Sequence, residues 1–170
     1  RWNAGTGPHW RFVDNPVNRG FVATVNRGIR MTRGDVVLLN SDTVTTPGWY
    51  QGLQRCLASD PDIATATPWT NNGEIASIPE FCVDNAIPPD LAAVARVIAG
   101  CETPTYPELP TAVGFCMAVT RRAIDGVGSG PNSRRSGPSF SVEAMACSHV
   151  MVCPVYAAIR PMIAIIVLFA

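Results

Sequence analysis

The sequence predicts an α/β domain, with a mostly parallel sheet flanked by helices. Three observations carry this. Val36 to Leu39 is an unbroken apolar run, which suits a short strand covered on both faces. Segments with helical spacing lie before and after it, and further short apolar runs follow, so helices and strands alternate along the chain. The chain has 170 residues and is 47% hydrophobic, enough for one domain with a real core.

Taken in order, Arg1 to His9 has no periodicity and reads as loop. Gly5-Thr-Gly7 lacks the third glycine and the preceding strand that a dinucleotide fingerprint needs. Trp10 to Val13 suits a short strand. Asn18 opens a helix to about Thr32, with Phe21, Val22, Val25 and Ile29 on one stripe. Gly20 would let a ligand approach its first turn, where the helix end favours anions. From the residues alone, a plain capped packing helix fits equally well.

The strand at Val36–Leu39 ends in Asn40, Ser41, Asp42 and Thr43, all small and polar. Thr46 and Pro47 read as the cap and first position of the next helix, which carries Trp49, Leu53, Cys56 and Leu57 inward as far as Ser59. Ile63 to Thr67 reads as a strand. Asn71-Asn72-Gly73 signals a turn in a loop that either lines a site or is merely polar. A helix follows from Asp90 to about Ala99, with Leu91, Val94, Ala95 and Ile98 inward. Glu102 to Pro110 is extended loop, and Thr111 to Val119 is a strand in which Gly114 marks a bulge or close approach. Thr120 to Gly126 forms a short capped helix. Its Arg121 and Arg122 suit solvated surface first and a phosphate second.

The strand ending at Asn40 places Asp42 at the carboxyl edge of the sheet, where open α/β folds bind ligands. A carboxylate there can hold a divalent cation, and the cation a diphosphate. An Asp between strand and helix is also a common turn or capping residue.

Composition narrows the partners. Thirteen basic and thirteen acidic side chains cancel, so no net field points to nucleic acid or anionic lipid. All thirteen bases are Arg, which reads as coding bias rather than a binding patch. Six cysteines lack any Cys-x-x-Cys pair and are expected as free, buried thiols in a reducing compartment. Cys147, His149 and Cys153 do not follow a zinc spacing. Arg1 to Trp10 has no apolar core of a signal peptide. Met162 to Ala170 is almost wholly apolar, yet a membrane span needs about 20 residues. A core strand and part of a membrane helix both suit it.

Several pieces combine into a family likeness. Asn18-Arg-Gly-Phe21, Asn26-Arg-Gly28, the run from Gly34 to Thr43, and Pro47-Gly-Trp49 resemble the central block of the family 2 glycosyltransferases with a GT-A fold. The likeness continues through Thr65-Ala-Thr-Pro68, Asn71-Asn72 with Glu74 to Ser77, and Glu108 to Met117 followed by Arg121-Arg122. It covers roughly Phe12 to Gly128.

That resemblance implies a partial GT-A (Rossmann-like) nucleotide-diphospho-sugar transferase core over residues 1–128. It implies transfer of a sugar, of hexosyl or rhamnosyl type, from a nucleotide-diphosphate sugar to a hydroxyl on a glycan or lipid-linked acceptor, usually with inversion. Mg or Mn would assist. The setting it suggests is cell-surface polysaccharide assembly on the cytoplasmic side, at the inner face of the membrane. Asn18, Gly20, Asn26, Asn40 and Asp42 are then the donor-binding candidates, with Asp42 on the metal. Asn40 stands where many relatives carry a second Asp, and Asn is a weaker, neutral ligand.

No residue is assigned as the general base. Past Gly128 comes a Gly/Ser/Pro/Arg-rich run to Pro138, linker-like, and residues 129–170 form a divergent tail that ends apolar. Glu143 is the only acid after Asp125. The expectation is an incomplete domain, lacking the N-terminal nucleotide-binding βαβ unit and shifted out of frame near Gly128. A non-catalytic remnant serving as a binding or structural unit is the rival. A hydrolase or dehydrogenase would need a Gly-x-Ser-x-Gly elbow or a full glycine fingerprint, and neither occurs.

Overall fold

The structure, a computed structural model, describes residues 13–100, 105–128, 149–159 and 165–169. The expected strand at Trp10–Val13, the loop before it, the Gly/Ser/Pro/Arg-rich run, Glu143, Cys101 and Cys147 lie wholly or mainly outside the described residues. Among the described residues there are four α-helices: α1 (Gly20–Arg30), α2 (Trp49–Ser59), α3 (Leu91–Ala99) and α4 (Arg121–Gly128). Seven strands accompany them: β1 (Val36–Asn40), β2 (Thr43–Thr45), β3 (Ile63–Trp69), β4 (Glu108–Leu109), β5 (Cys116–Val119), β6 (His149–Ile159) and β7 (Ile165–Phe169).

The strands join in the order β2-β6-β3-β5-β1-β7, with β4 also paired to β6. The α/β class holds, but the sheet is not mostly parallel. Only the β3–β6 strand pair is parallel, and the other described strand pairs are antiparallel. An unbroken apolar run reports burial on two faces and says nothing of a neighbour's direction. The chain leaves β3 at its carboxyl end and enters β5 from that same edge, so β5 runs back between β3 and β1. Across β5, β1 and β3 therefore run in the same direction, and their carboxyl ends share one edge.

Burial on both faces of β1 is confirmed and alternates with the pleat. Val36 and Leu38 pack with Val25 and Ile29 of α1 and Ile124 of α4. Val37 and Leu39 pack with Leu53 and Cys56 of α2 on the opposite face. Register places Leu38 opposite Met117 and Leu39 opposite Cys116, so each face stays apolar across the strand pair. Burying such a side chain contributes roughly 1.5–3 kcal/mol.

The helix boundaries were less legible. Helix α1 starts at Gly20, two residues later than expected, and only Val25 and Ile29 of its stripe are buried. Phe21 and Val22 are exposed instead. The Asn18 side chain accepts the Gly20 N–H at 2.8 Å, and Gly20 takes φ +72°, so the chain turns into the helix there. Helix α2 begins at Trp49, not at Pro47. Thr46 to Trp49 forms a type II turn, with the Trp49 N–H on the Thr46 carbonyl at 3.2 Å and Gly48 at φ 80°, ψ 1°. A left-handed Gly48 cannot sit inside a right-handed helix, so Pro47 belongs to the turn.

Asp90 caps α3 as its side chain accepts the Ala93 N–H at 2.8 Å, and the helix packs on β6 with its expected inner residues half-buried. Strand β5 is shorter than expected, because residues 110–115 form turns before it. Gly114 is exposed with open space around it, so it is neither a bulge nor a close approach. The apolar end of the chain supplies β7, which pairs along β1. No described helix is long and apolar enough to cross a membrane. Cys56 and Cys116 are buried free thiols, and burial pushes the Cys116 thiol far up. Cys82 is free but exposed, contrary to expectation, because it sits on a loop away from either core cluster.

Arg121 is not free surface. Its backbone N–H meets the Asp35 carboxylate at 2.8 Å, and its guanidinium reaches the Ile29 and Thr32 carbonyls and, at 2.7 Å, Asp125. It ties α4 to the last turn of α1 and the entry of β1. The hydrogen bond from Arg121 holds the Asp125 carboxyl below its ordinary value. A lowered folded-state pKa means the contribution is present above the unfolded value, about 3.9, and is lost as pH falls through the folded one. Thermal melts of the wild type and Asp125→Asn should therefore differ near neutrality and converge in acid. A gap that stays constant through the acid range would dismiss the pairing as a stabiliser.

Candidate functional site

Three strand ends meet at one edge of the sheet. β1 delivers Asn40 and then Asp42. β3 delivers the loop that starts at Thr70. β5 begins just after Phe115. The Phe115 carbonyl stitches the first and third together, accepting the Asn40 backbone N–H at 2.8 Å and the Thr43 hydroxyl at 3.3 Å. Thr67, buried on β3, donates to the Cys116 carbonyl at 2.8 Å. The edge is thus fixed by hydrogen bonds between strand ends, not only by apolar packing.

Asp42 sits in the turn between β1 and β2 and is half-buried. Its Oδ1 is shielded from solvent and meets no hydrogen-bond donor among the described residues. Buried carboxylate oxygens are ordinarily paired, and an orphan costs about 1–3 kcal/mol or more when charged. A turn or capping residue would have spent that oxygen on its own loop. Asp42 has not.

No group of three His, Cys, Asp or Glu residues that could hold a metal exists among the described residues. A closed protein cage is therefore not what this edge provides. Magnesium-type sites instead use one or two carboxylates and fill the remaining positions with water and substrate phosphates. The unpartnered Asp42 oxygen fits that kind of ligation. Asn40, at the strand end, can add only a neutral amide oxygen.

The other candidates divide. Asn18 is exposed, and its side-chain oxygen is engaged by Gly20. Gly20 serves by its positive φ, since a Cβ there would meet nothing within 4 Å. Asn26 is buried at 8% exposure. An open groove along α1 is lined by Arg19, Gly20, Phe21, Asn26, Arg27 and Arg30, among others. Its three guanidiniums, Arg19 before the first turn and Arg27 and Arg30 in the last, make it receptive to anions. Arg27 also braces the preceding segment, donating to the Asp14 carbonyl at 2.9 Å and to the Asn15 side chain. The last turn of α1 is held at the entry of β1, so its first turn lies away from that end of the sheet. Asn40 ends β1 and Asp42 lies in the turn after it, while Gly20 and Asn26 are on the neighbouring helix α1 and Asn18 lies just before it.

The loop after β3 was legible only as a turn signal. Asn71 is buried at 3% exposure and pairs with Asn85, fourteen residues on. Asn71 Nδ2 donates to the Asn85 carbonyl, and the Asn85 amide and backbone N–H return to the Asn71 carbonyl. Asn85 also binds the Glu80 and Val83 carbonyls at 2.9 Å each. Nothing in the sequence marks Asn85, because its partners are chosen by the loop's closure. Gly73 seats the loop's base against Val113 and Phe115, and a Cβ there would run into the Thr70 methyl. Gly73→Ala should destabilise the fold by roughly 1–3 kcal/mol, read by denaturant midpoint. A midpoint at or above the wild-type value would contradict this contact.

The family model for glycosyl transferase family 2 matches residues 3–128. No curated protein and no solved structure matches the chain.

Proposed function

The chain belongs to the family 2 glycosyltransferases, and from that premise we propose that its sheet edge binds the diphosphate of a nucleotide-diphosphate sugar through a Mg or Mn ion held by Asp42. The observation that carries this reading is the buried, unpartnered Asp42 oxygen at the carboxyl ends of β1 and β3. When bound, the cation neutralises charge that builds on the leaving diphosphate. Asn40 and Asp42 offer oxygens at the strand end. Gly20, Asn26 and the Arg19 and Arg30 side chains line an anion-receptive groove along α1 suited to the nucleotide. The sugar passes to a hydroxyl of a glycan or lipid-linked acceptor, with inversion, which requires donor and acceptor held in line. The role belongs to cell-surface polysaccharide assembly on the cytoplasmic side of a membrane.

Calorimetry with UDP-glucose, GDP-mannose and dTDP-rhamnose, each with and without MnCl2, tests the reading. Binding of at least one donor that strengthens with Mn is expected. Failure of all three to bind, with metal or without, would remove the support for it.

A further inference from the structure

We infer that Asn72 is a site of covalent modification by deamidation, and that the Ser77 hydroxyl keeps it closed while the loop after β3 is folded. Asn72-Gly73 is the one Asn-Gly pair in the sequence. The chemistry is intramolecular and needs only water. Hydroxide takes the proton of the Gly73 N–H, and that nitrogen attacks Cγ of the Asn72 amide. The new N–C bond closes a cyclic imide as the Cγ–Nδ2 bond breaks, and the amide nitrogen leaves as ammonia with a proton from water. Water then opens the imide at either carbonyl. One opening gives aspartate, and the other gives isoaspartate, whose main chain runs through the former side chain.

Glycine is the most permissive residue to follow the asparagine, because no Cβ crowds its nitrogen and its backbone reaches the attacking geometry freely. In this loop a larger residue cannot take its place. A Cβ at Gly73 would run into the Thr70 methyl, with Val113 and Phe115 next to it at 3.5 Å each. The reactive pair is therefore built into the loop, and its protection comes from hydrogen bonds.

The two reacting groups are treated oppositely. Asn72 is exposed, and its side chain makes no hydrogen bond among the described residues. The attacking nitrogen is held instead. The buried Gly73 N–H donates to Ser77 Oγ at 2.9 Å, and Ser77 is itself 1% exposed. Hydroxide reaches that proton only when the loop opens. The Gly73 carbonyl is fixed as well, accepting the Ala76 N–H at 2.9 Å. Around it the Thr70 N–H meets the Ala76 carbonyl at 3.1 Å, and the Ile78 N–H meets the Thr70 carbonyl at 2.9 Å. Bonded through both its backbone groups, Gly73 cannot swing onto the Asn72 amide. Deamidation then proceeds only through the opened fraction of the loop.

The modification reaches beyond the loop. Isoaspartate lengthens the main chain just before Gly73, and either product adds a carboxylate beside Glu74. Gly73 is seated against Phe115, whose carbonyl accepts the Asn40 N–H and the Thr43 hydroxyl at the edge that carries Asp42.

Incubation of the full chain at mildly alkaline pH, with aspartate and isoaspartate at position 72 read by peptide mass mapping, tests the proposal. In the folded wild type the reaction should be at least about tenfold slower than in the same chain unfolded in guanidinium chloride. Ser77→Ala, shown to be folded by its thermal melt, should speed it about two- to tenfold, the weight of one hydrogen bond on the opened fraction. Asn85→Ala, which undoes the clamp between the loop's ends and leaves Ser77 in place, should speed it as well, because opening is the common step. Equal rates in the folded and the unfolded wild type overturn the proposal, and so do equal rates in folded Ser77→Ala and the wild type. If Ser77→Ala does not fold, the wild-type comparison and the Asn85→Ala rate decide it, and a rate in Asn85→Ala no higher than in the wild type counts against it.

Discussion

Asp42→Ala is expected to abolish the metal-dependent part of donor binding and to lower turnover by about 10²–10³-fold, the usual cost of removing one group aimed at developing charge. The side chain lies at the end of a strand whose four residues before Asn40 are all buried, so its backbone position is set by packing and not by its own bonds. Removing the carboxylate should therefore leave the fold intact. Stability should be unchanged or slightly raised, because an oxygen with no donor in its surroundings is deleted. Asp42→Asn keeps the shape and one neutral oxygen, and should retain a weakened response to Mn. Thermal melts with calorimetry of the three nucleotide sugars decide the matter. If Asp42→Ala bound a donor with wild-type affinity and the same gain from Mn, the metal role would have to move elsewhere.

Leu38→Ala should be the most destabilising of the substitutions considered, at roughly 2–5 kcal/mol. Leu38 is 1% exposed, on β1 between β5 and β7, with Met117 opposite it and α1 and α4 packed over it. Both neighbouring strands fix the backbone, so the cavity cannot collapse easily. Val97→Ala serves as the contrast, since Val97 on α3 is 75% exposed. Surface changes of that kind usually stay within about 0.5 kcal/mol. Denaturant midpoints for the two variants should separate clearly. Equal midpoints would mean that β1 is not central to the core.

The likeness to a sugar-transferring family was readable because it lives in short segments, such as Gly34 to Thr43, whose residues are contiguous. The position of Asp42 was readable for a related reason. A run of four apolar residues forces a buried strand, and the small polar residues after it must emerge at the strand's end. Helix starts were read too early, because Pro47 announces a helix while the left-handed Gly48 after it makes a turn first. Arg121 and Arg122 looked alike in sequence. Only packing made Arg121 a staple between α4 and α1, and left Arg122 on the surface near Asp62 at 3.4 Å.

By itself, then, the sequence determined the α/β class, the buried strand β1, the edge residue Asp42 and the family. These depend on local pattern, in which neighbours along the chain set each other's periodicity and exposure. The tertiary structure decided the directions of the strands, the unspent oxygen of Asp42, and the Asn71–Asn85 closure of the loop after β3. Each of these is a pairing between residues distant in the chain. Such pairings are selected by which groups remain unsatisfied once the strands have packed, and no single segment records that.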